Sequence, residues 1–235
     1  MTEITATKTS IPIMPDQFEA AARERGGTDN FATLLAQAAA ESNFKSTAEN
    51  TATGAAGPFQ FVQGTWLDLM RKHGLKLGVK SDLVAQIKRD PTTGHLTVSD
   101  PKARQALLDL RHDLDLSART ATQYLDENRA SLGRQLGRTA TDAEVQMSFL
   151  LGANGAARLI KTAASDPGKP VDEVLPKAVA ANHSLFVEKD GQTRSASAAV
   201  DFLAQKFGRD RTRFAAYLNT PPAGTAAKSG KDVRA

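Results

Sequence analysis

The chain has 235 residues, which suits one large domain with tails better than two full domains. Hydrophobic residues make up 40% and charged residues 24%, enough for an ordinary core, and the absence of cysteine removes disulfides, thiolate nucleophiles and cysteine-held zinc or iron–sulfur centres. The net charge of +4 is concentrated at one end: Lys206 to Ala235 holds seven basic and two acidic residues, leaving the first 205 residues near −1, so the positive field a nucleic-acid-binding body would need is missing.

Residues 1–14 form a polar segment rich in Thr and Ser. It lacks the basic flank and apolar stretch of a secretory signal, and an export address of another kind is the expectation for it. No apolar run is long enough for a membrane span. Helical periodicity then recurs over 15–218, while strand-like alternation does not, so an all-α body is expected. Pro15 to Arg25 reads as a helix closed by Gly26-Gly27. Asn30 caps a second, with Phe31, Leu34, Leu35 and Ala38 as its buried stripe, running to about Phe44. Lys45 to Gly57 reads as loop.

Thr65 with Asp68 resembles a capping box opening a helix through Trp66, Leu69 and Met70 to Gly74, and a short helix is expected from Ser81 to Lys88. Asp90-Pro91 through Val98 reads as a small hairpin excursion. Asp100-Pro101 supplies an N-cap and first-turn proline for a long helix carrying Leu107, Leu110, Leu114, Ala118, Ala121 and Leu125. Thr141 and Glu144 form a capping box for a central apolar helix with Val145 and Phe149–Leu151, punctuated by Gly152 and Gly155. Val171 to Leu175 is a short helix, 182–192 is mostly irregular, and a last helix starts at Ser197 and reaches Leu218. Residues 219–235 read as a disordered basic tail.

Histidines 73, 95, 112 and 183 lack the His-Glu-x-x-His spacing of a zinc hydrolase, and no metal site is expected. Neither a Gly-x-Ser-x-Gly elbow nor a phosphate loop nor a dinucleotide fingerprint occurs. One carboxylate is out of place. Glu41 follows Leu34 by seven residues, near the line of the apolar stripe and near the C-terminus of its helix. Partial desolvation and the negative helix end both oppose ionisation, so its pKa is expected to rise, as a glycosidase general acid requires. A solvated glutamate at a helix end is the alternative reading of the same position.

Ala40-Glu41-Ser42-Asn43-Phe44, followed by Gly57-Pro58-Phe59-Gln60, resembles the soluble lytic transglycosylase family, whose signature is Glu-Ser at a helix end and then Gly-Leu-Met-Gln. Glycine and glutamine match, while Leu-Met is replaced by Pro-Phe. Similarity to variants of alphaproteobacterial type extends through Gly152–Ala157 and Asn182–Phe186, so that the resemblance covers roughly Asp29 to Phe207. The family's third motif, Ala-Tyr-Asn-Ala-Gly, is here Ser148-Phe149-Leu150-Leu151-Gly152, with Phe149 in the tyrosine position and no phenolic hydroxyl to orient Glu41.

The resemblance implies a lysozyme-like, goose-type helical domain over 15–218 and cleavage of the β-1,4 bond between N-acetylmuramic acid and N-acetylglucosamine in peptidoglycan. Glu41 would act as acid and then base, leaving a 1,6-anhydromuramic end. Ser42, Gln60, Phe59 and Phe149 would contact substrate, with the N-acetyl group supplying the help that a second carboxylate gives in most glycosidases. Glu49, eight residues beyond Glu41, is the nearest second acid and reads as a solvated loop residue. No cofactor is implied. Peptidoglycan strands are the expected partner, and a periplasmic or exported location follows, reached through a secretion, flagellar or phage apparatus. A hydrolytic muramidase on the same fold and a catalytically weak wall-binding assembly protein are the alternatives.

Overall fold

The computed structural model describes residues 38, 45, 47–51 and 53–219, with backbone only over 213–219. The expected helix from Pro15, most of the helix from Asn30, Glu41, Ser42 and the tail beyond 219 lie outside the described residues. Ala38, assigned to the buried stripe, is helical and fully buried.

The described chain is mostly helical, with two-stranded hairpins as its sheet structure. Strands β1 (Glu49–Asn50) and β2 (Ala55–Ala56) pair antiparallel, Glu49 opposite Ala56, within the segment read as loop. Helix α1 is Gln63–His73 and α2 is Ser81–Ala85. Strands β3 (Lys88–Arg89) and β4 (Leu96–Thr97) form the expected hairpin. Its turn is held by the Asp90 carboxylate, which accepts from the amides of Thr92 and Thr93 at 2.8 and 2.7 Å. Then come α3 (Pro101–Asp109), a 3₁₀ turn (Leu110–His112), α4 (Leu114–Leu136) and α5 (Asp142–Ser165). Short helices α6 (Val171–Val174), α7 (Pro176–Ala181) and α8 (His183–Phe186) lead to α9 (Ala196–Asn219).

Helix α5 packs along both α4 and α9 and is the centre of the fold, as its apolar sequence predicts. Its capping box is complete: the Glu144 amide donates to Thr141 Oγ1 at 3.3 Å, and the Thr141 amide donates to Glu144 Oε2 at 2.8 Å. Arg138 Nη1 and Nη2 reach both carboxylate oxygens of Glu144, at 2.8 and 2.6 Å. Midway, Gly152 adopts φ 70° and ψ 157°, a region open essentially to glycine alone. The first half of α5, which carries Phe149, therefore ends there and the second half sets out in its own direction.

Three expectations about element limits are corrected. Thr65 lies inside α1, whose N-cap is Val62 without a side-chain bond. The chain enters that helix straight from the pairing of Phe61 with Ala56, while Asp68 turns to Arg71 and Lys72. The long helix expected from Pro101 through Leu125 breaks at residues 110–113. There Asp113 takes an extended conformation and its carboxylate caps α4 by accepting from the Leu116 amide at 2.8 Å. The segment read as irregular contains α8 and then a return pairing of Val187 with Thr193, and Arg194 lies over the Phe202 ring at 4.1 Å. By contrast, Asp100 caps α3 as expected, accepting from the Lys102 amide at 2.9 Å. Among the described residues no helix is long and apolar enough to cross a membrane.

The Arg138 hydrogen bonds, and after them the Thr141 amide, hold the Glu144 carboxyl below the usual glutamate range despite its burial. A group whose folded pKa is lowered contributes stability above its unfolded value, near 4.3, and loses that contribution as pH falls through the folded value. Glu144→Gln is therefore expected to lower stability at pH 7 by about 1–2 kcal/mol. In denaturant titrations at pH 7 and pH 3 the gap between wild type and variant should narrow at the acidic pH; a gap of constant size would contradict this account.

Candidate functional site

The Gly57-Pro58-Phe59-Gln60 segment forms a closed turn. Ala56 and Phe61 exchange both backbone hydrogen bonds across it, at 3.2 and 3.1 Å, and the Gln60 amide donates to the Gly57 carbonyl at 3.1 Å. Gly57 has φ 78°, and a Cβ placed there would stand 2.0 Å from the Arg111 carbonyl oxygen, so both its conformation and its surroundings demand glycine. Gln60 takes φ 48°, the one left-handed non-glycine position among the described residues.

The Gln60 side chain supports that conformation. Its Nε2 donates to the carbonyls of Gly57 and Ala48, at 2.9 and 3.2 Å. Since both partners are acceptors, the amide nitrogen must face them, and Oε1 remains as an acceptor without a partner among the described residues. Gln60 is thus first a brace for its own turn.

Beneath the turn lies Arg111, which sequence reasoning missed. It is 9% exposed. Its Nε donates to Leu108 O at 3.0 Å, and its Nη1 donates to Gly54 O and Phe61 O at 2.8 and 3.0 Å. Burial pushes the guanidinium pKa down, against the opposing pull of Glu49 and Asp109. The Arg111 carbonyl in turn accepts from Ser117 Oγ at 2.6 Å, which joins the turn to the start of α4. Only the break between α3 and α4 announces this residue, and the extended cap at Asp113 is the signal that could have located it.

An aromatic cluster stands behind the turn. Phe59 and Phe61 are 6.4 Å apart between centroids, and Phe61 lies 5.4 Å from Trp66. Trp66 is fully buried and its Nε1 donates to Leu107 O at 2.7 Å, in keeping with its core-facing helical position. Phe59 is 1% exposed, so the expectation that its ring lies against a sugar gives way to a packing role inside the turn. Phe149 is half-buried and joins the cluster through Phe61, at 6.2 Å, and Tyr124, at 5.1 Å. The structure therefore brings together Phe59, Gln60 and Phe149 from the predicted set, while Glu41 and Ser42 lie outside the described residues.

Glu49 sits on β1 with its side chain 64% exposed, and His112 Nε2 lies 3.4 Å from its Oε1. Its exposure matches the solvated acid expected, but it stands on a strand and not in a loop. Among the described residues no group of His, Asp or Glu side chains gathers in a way that could hold a metal ion. No known protein-family model matches the chain.

Replacing the guanidinium takes one donor from each of the carbonyls of Gly54, Phe61 and Leu108. Arg111→Met is expected to destabilise the protein by roughly 2–4 kcal/mol. Gly57→Ala should cost at least about 3 kcal/mol, because the added methyl meets backbone rather than a movable side chain. Thermal or denaturant unfolding measures both; near-wild-type stability in either variant would show that the turn does not depend on this contact.

Proposed function

We propose that the protein is a peptidoglycan lytic transglycosylase on a lysozyme-like helical domain, with Glu41 as the group that donates and then accepts the proton. The observation that carries this reading is the meeting of two sequence-remote motif segments: the Gly57–Gln60 turn and the Phe149 segment ahead of the Gly152 break share one aromatic cluster. A rigid turn offering the Gln60 Oε1 acceptor, beside a half-buried ring, suits a polar ligand with apolar ring faces, and sugars have that character.

In this reading the glycosidic bond between the muramic anomeric carbon and O4 of the next sugar breaks as the Glu41 carboxyl gives its proton to O4. The muramic 6-hydroxyl then closes on the anomeric carbon and its proton passes to the Glu41 carboxylate, which restores the acid. No water is consumed, and one carboxylate serves because the attacking hydroxyl belongs to the substrate itself. The acetamido group offers the electrostatic support that a second carboxylate provides in most glycosidases. The site of action is outside the cytoplasmic membrane, with a secretion, flagellar or phage apparatus as the route.

Digestion of purified sacculi followed by mass spectrometry tests the reading. Wild type is expected to release muropeptides with anhydromuramic ends, each one water lighter than its hydrolytic counterpart. Glu41→Gln should reduce release by roughly 10²-fold or more while retaining sacculus binding. Hydrated reducing ends would assign the protein to the muramidases instead, and undiminished lysis by Glu41→Gln would remove Glu41 from the chemistry.

A further inference from the structure

Three rings from three distant segments form a triangle. Phe61 follows the turn, Tyr124 stands on α4 and Phe149 on α5. Their centroids are 6.2 Å (Phe61–Tyr124), 5.1 Å (Tyr124–Phe149) and 6.2 Å (Phe61–Phe149) apart. Tyr124 meets Phe61 at 67° and Phe149 at 70°, both edge-to-face arrangements in which ring quadrupoles attract. The plane of the tyrosine is therefore set from two sides by rings that are themselves held by the turn and by the core helix.

The hydroxyl plays no part in that packing. Trp66, the other polar ring of the cluster, satisfies its N–H on the Leu107 carbonyl. Tyr124 is half-buried, and its hydroxyl makes no hydrogen bond among the described residues. The fully buried polar side-chain atom lacking a partner among those residues is Asn128 Nδ2, whereas Tyr124 as a residue is only half-buried. A phenylalanine would fill the same place without a polar atom to hydrate. What the extra oxygen adds is a fixed donor and acceptor at the edge of the cluster that Gln60 adjoins.

We propose that Tyr124 is a substrate-binding residue, its hydroxyl hydrogen-bonding a hydroxyl or acetamido group of a bound N-acetylated glycan strand. The assignment rests on the transglycosylase reading above. Phe149 has no hydroxyl, so Tyr124 is the phenol of the triangle. A phenolic hydroxyl both donates and accepts, which is the mixed character that a sugar edge requires.

The test uses the tetrasaccharide of alternating N-acetylglucosamine and N-acetylmuramic acid, bound to Glu41→Gln so that it is not cleaved. Calorimetric titration compares this variant with Glu41→Gln/Tyr124→Phe, and sacculus digestion compares wild type with Tyr124→Phe. The expected result is about tenfold weaker binding, matching the loss of one hydrogen bond, with KM raised in the digestion assay and the thermal midpoint unchanged. Equal affinity in the two titrations overturns the role of Tyr124 and leaves the transglycosylase reading intact. Weaker binding accompanied by a lower midpoint also overturns it, because the ring would then be acting through packing. If wild type releases nothing from sacculi and Glu41→Gln binds no tetrasaccharide, the functional reading fails and takes this assignment with it.

Discussion

A buried positive charge held by carbonyl oxygens, with no carboxylate in ion-pair contact with it among the described residues, underlies the arrangement of the candidate site. Arg111 faces the backbone of three segments at once: the end of the first hairpin at Gly54, the exit of the turn at Phe61, and the last turn of α3 at Leu108. Removing a guanidinium from water is costly, and the hydrogen bonds to neutral carbonyls offset that cost through charge assistance. An arginine suits this task because it stays protonated when desolvated and because its planar fork reaches several acceptors without rearrangement. Its own carbonyl presses against Gly57, so the residue holds the turn from both its side chain and its main chain.

From this contact the rest of the wall follows. Phe61 leaves the turn with its carbonyl fixed by Arg111, and its ring faces Trp66 on one side and the Tyr124–Phe149 pair on the other. Phe149 is placed independently by α5, which is anchored at its start by the reciprocal Thr141–Glu144 cap and released from helical geometry at Gly152. Helix α4 links the two, since its first turn receives the Arg111 carbonyl through Ser117 and a later turn presents Tyr124. The aromatic wall is thus the meeting point of two separately fixed frames.

Features with a local chemical signature were legible in the sequence. Asp100-Pro101 and Thr141 with Glu144 cap helices as their side chains predict, because each acceptor lies within reach of amides fixed by sequence distance alone. Thr65 has a similar appearance but fails, since a cap also needs an extended residue at that point, and the turn that pairs Ala56 with Phe61 is followed directly by the extended Val62. The break at residues 110–113 was hidden because Leu107, Leu110 and Leu114 keep helical spacing through it. Arg111 was hidden for a related reason: its partners are carbonyls, which every residue has. At the site, Gly57 and Phe149 were singled out by motif spacing, while the contact of the Phe149 ring with Phe61 was not. The bracing role of the Gln60 amide was not legible either, because its acceptors are main-chain carbonyls, and Tyr124 enters only through contacts between segments far apart in the chain.

The three-sided ring contact has a consequence for how competence is acquired. Phe61, Tyr124 and Phe149 come from regions that meet only when the hairpin segment, α4 and α5 have all docked, so no single element contains the three-ring contact. Its appearance is coupled to completion of the tertiary structure as a whole, and local opening of any one element dissolves it. A nascent, stretched or threaded polypeptide is therefore without a formed ring surface until its last long-range contacts close.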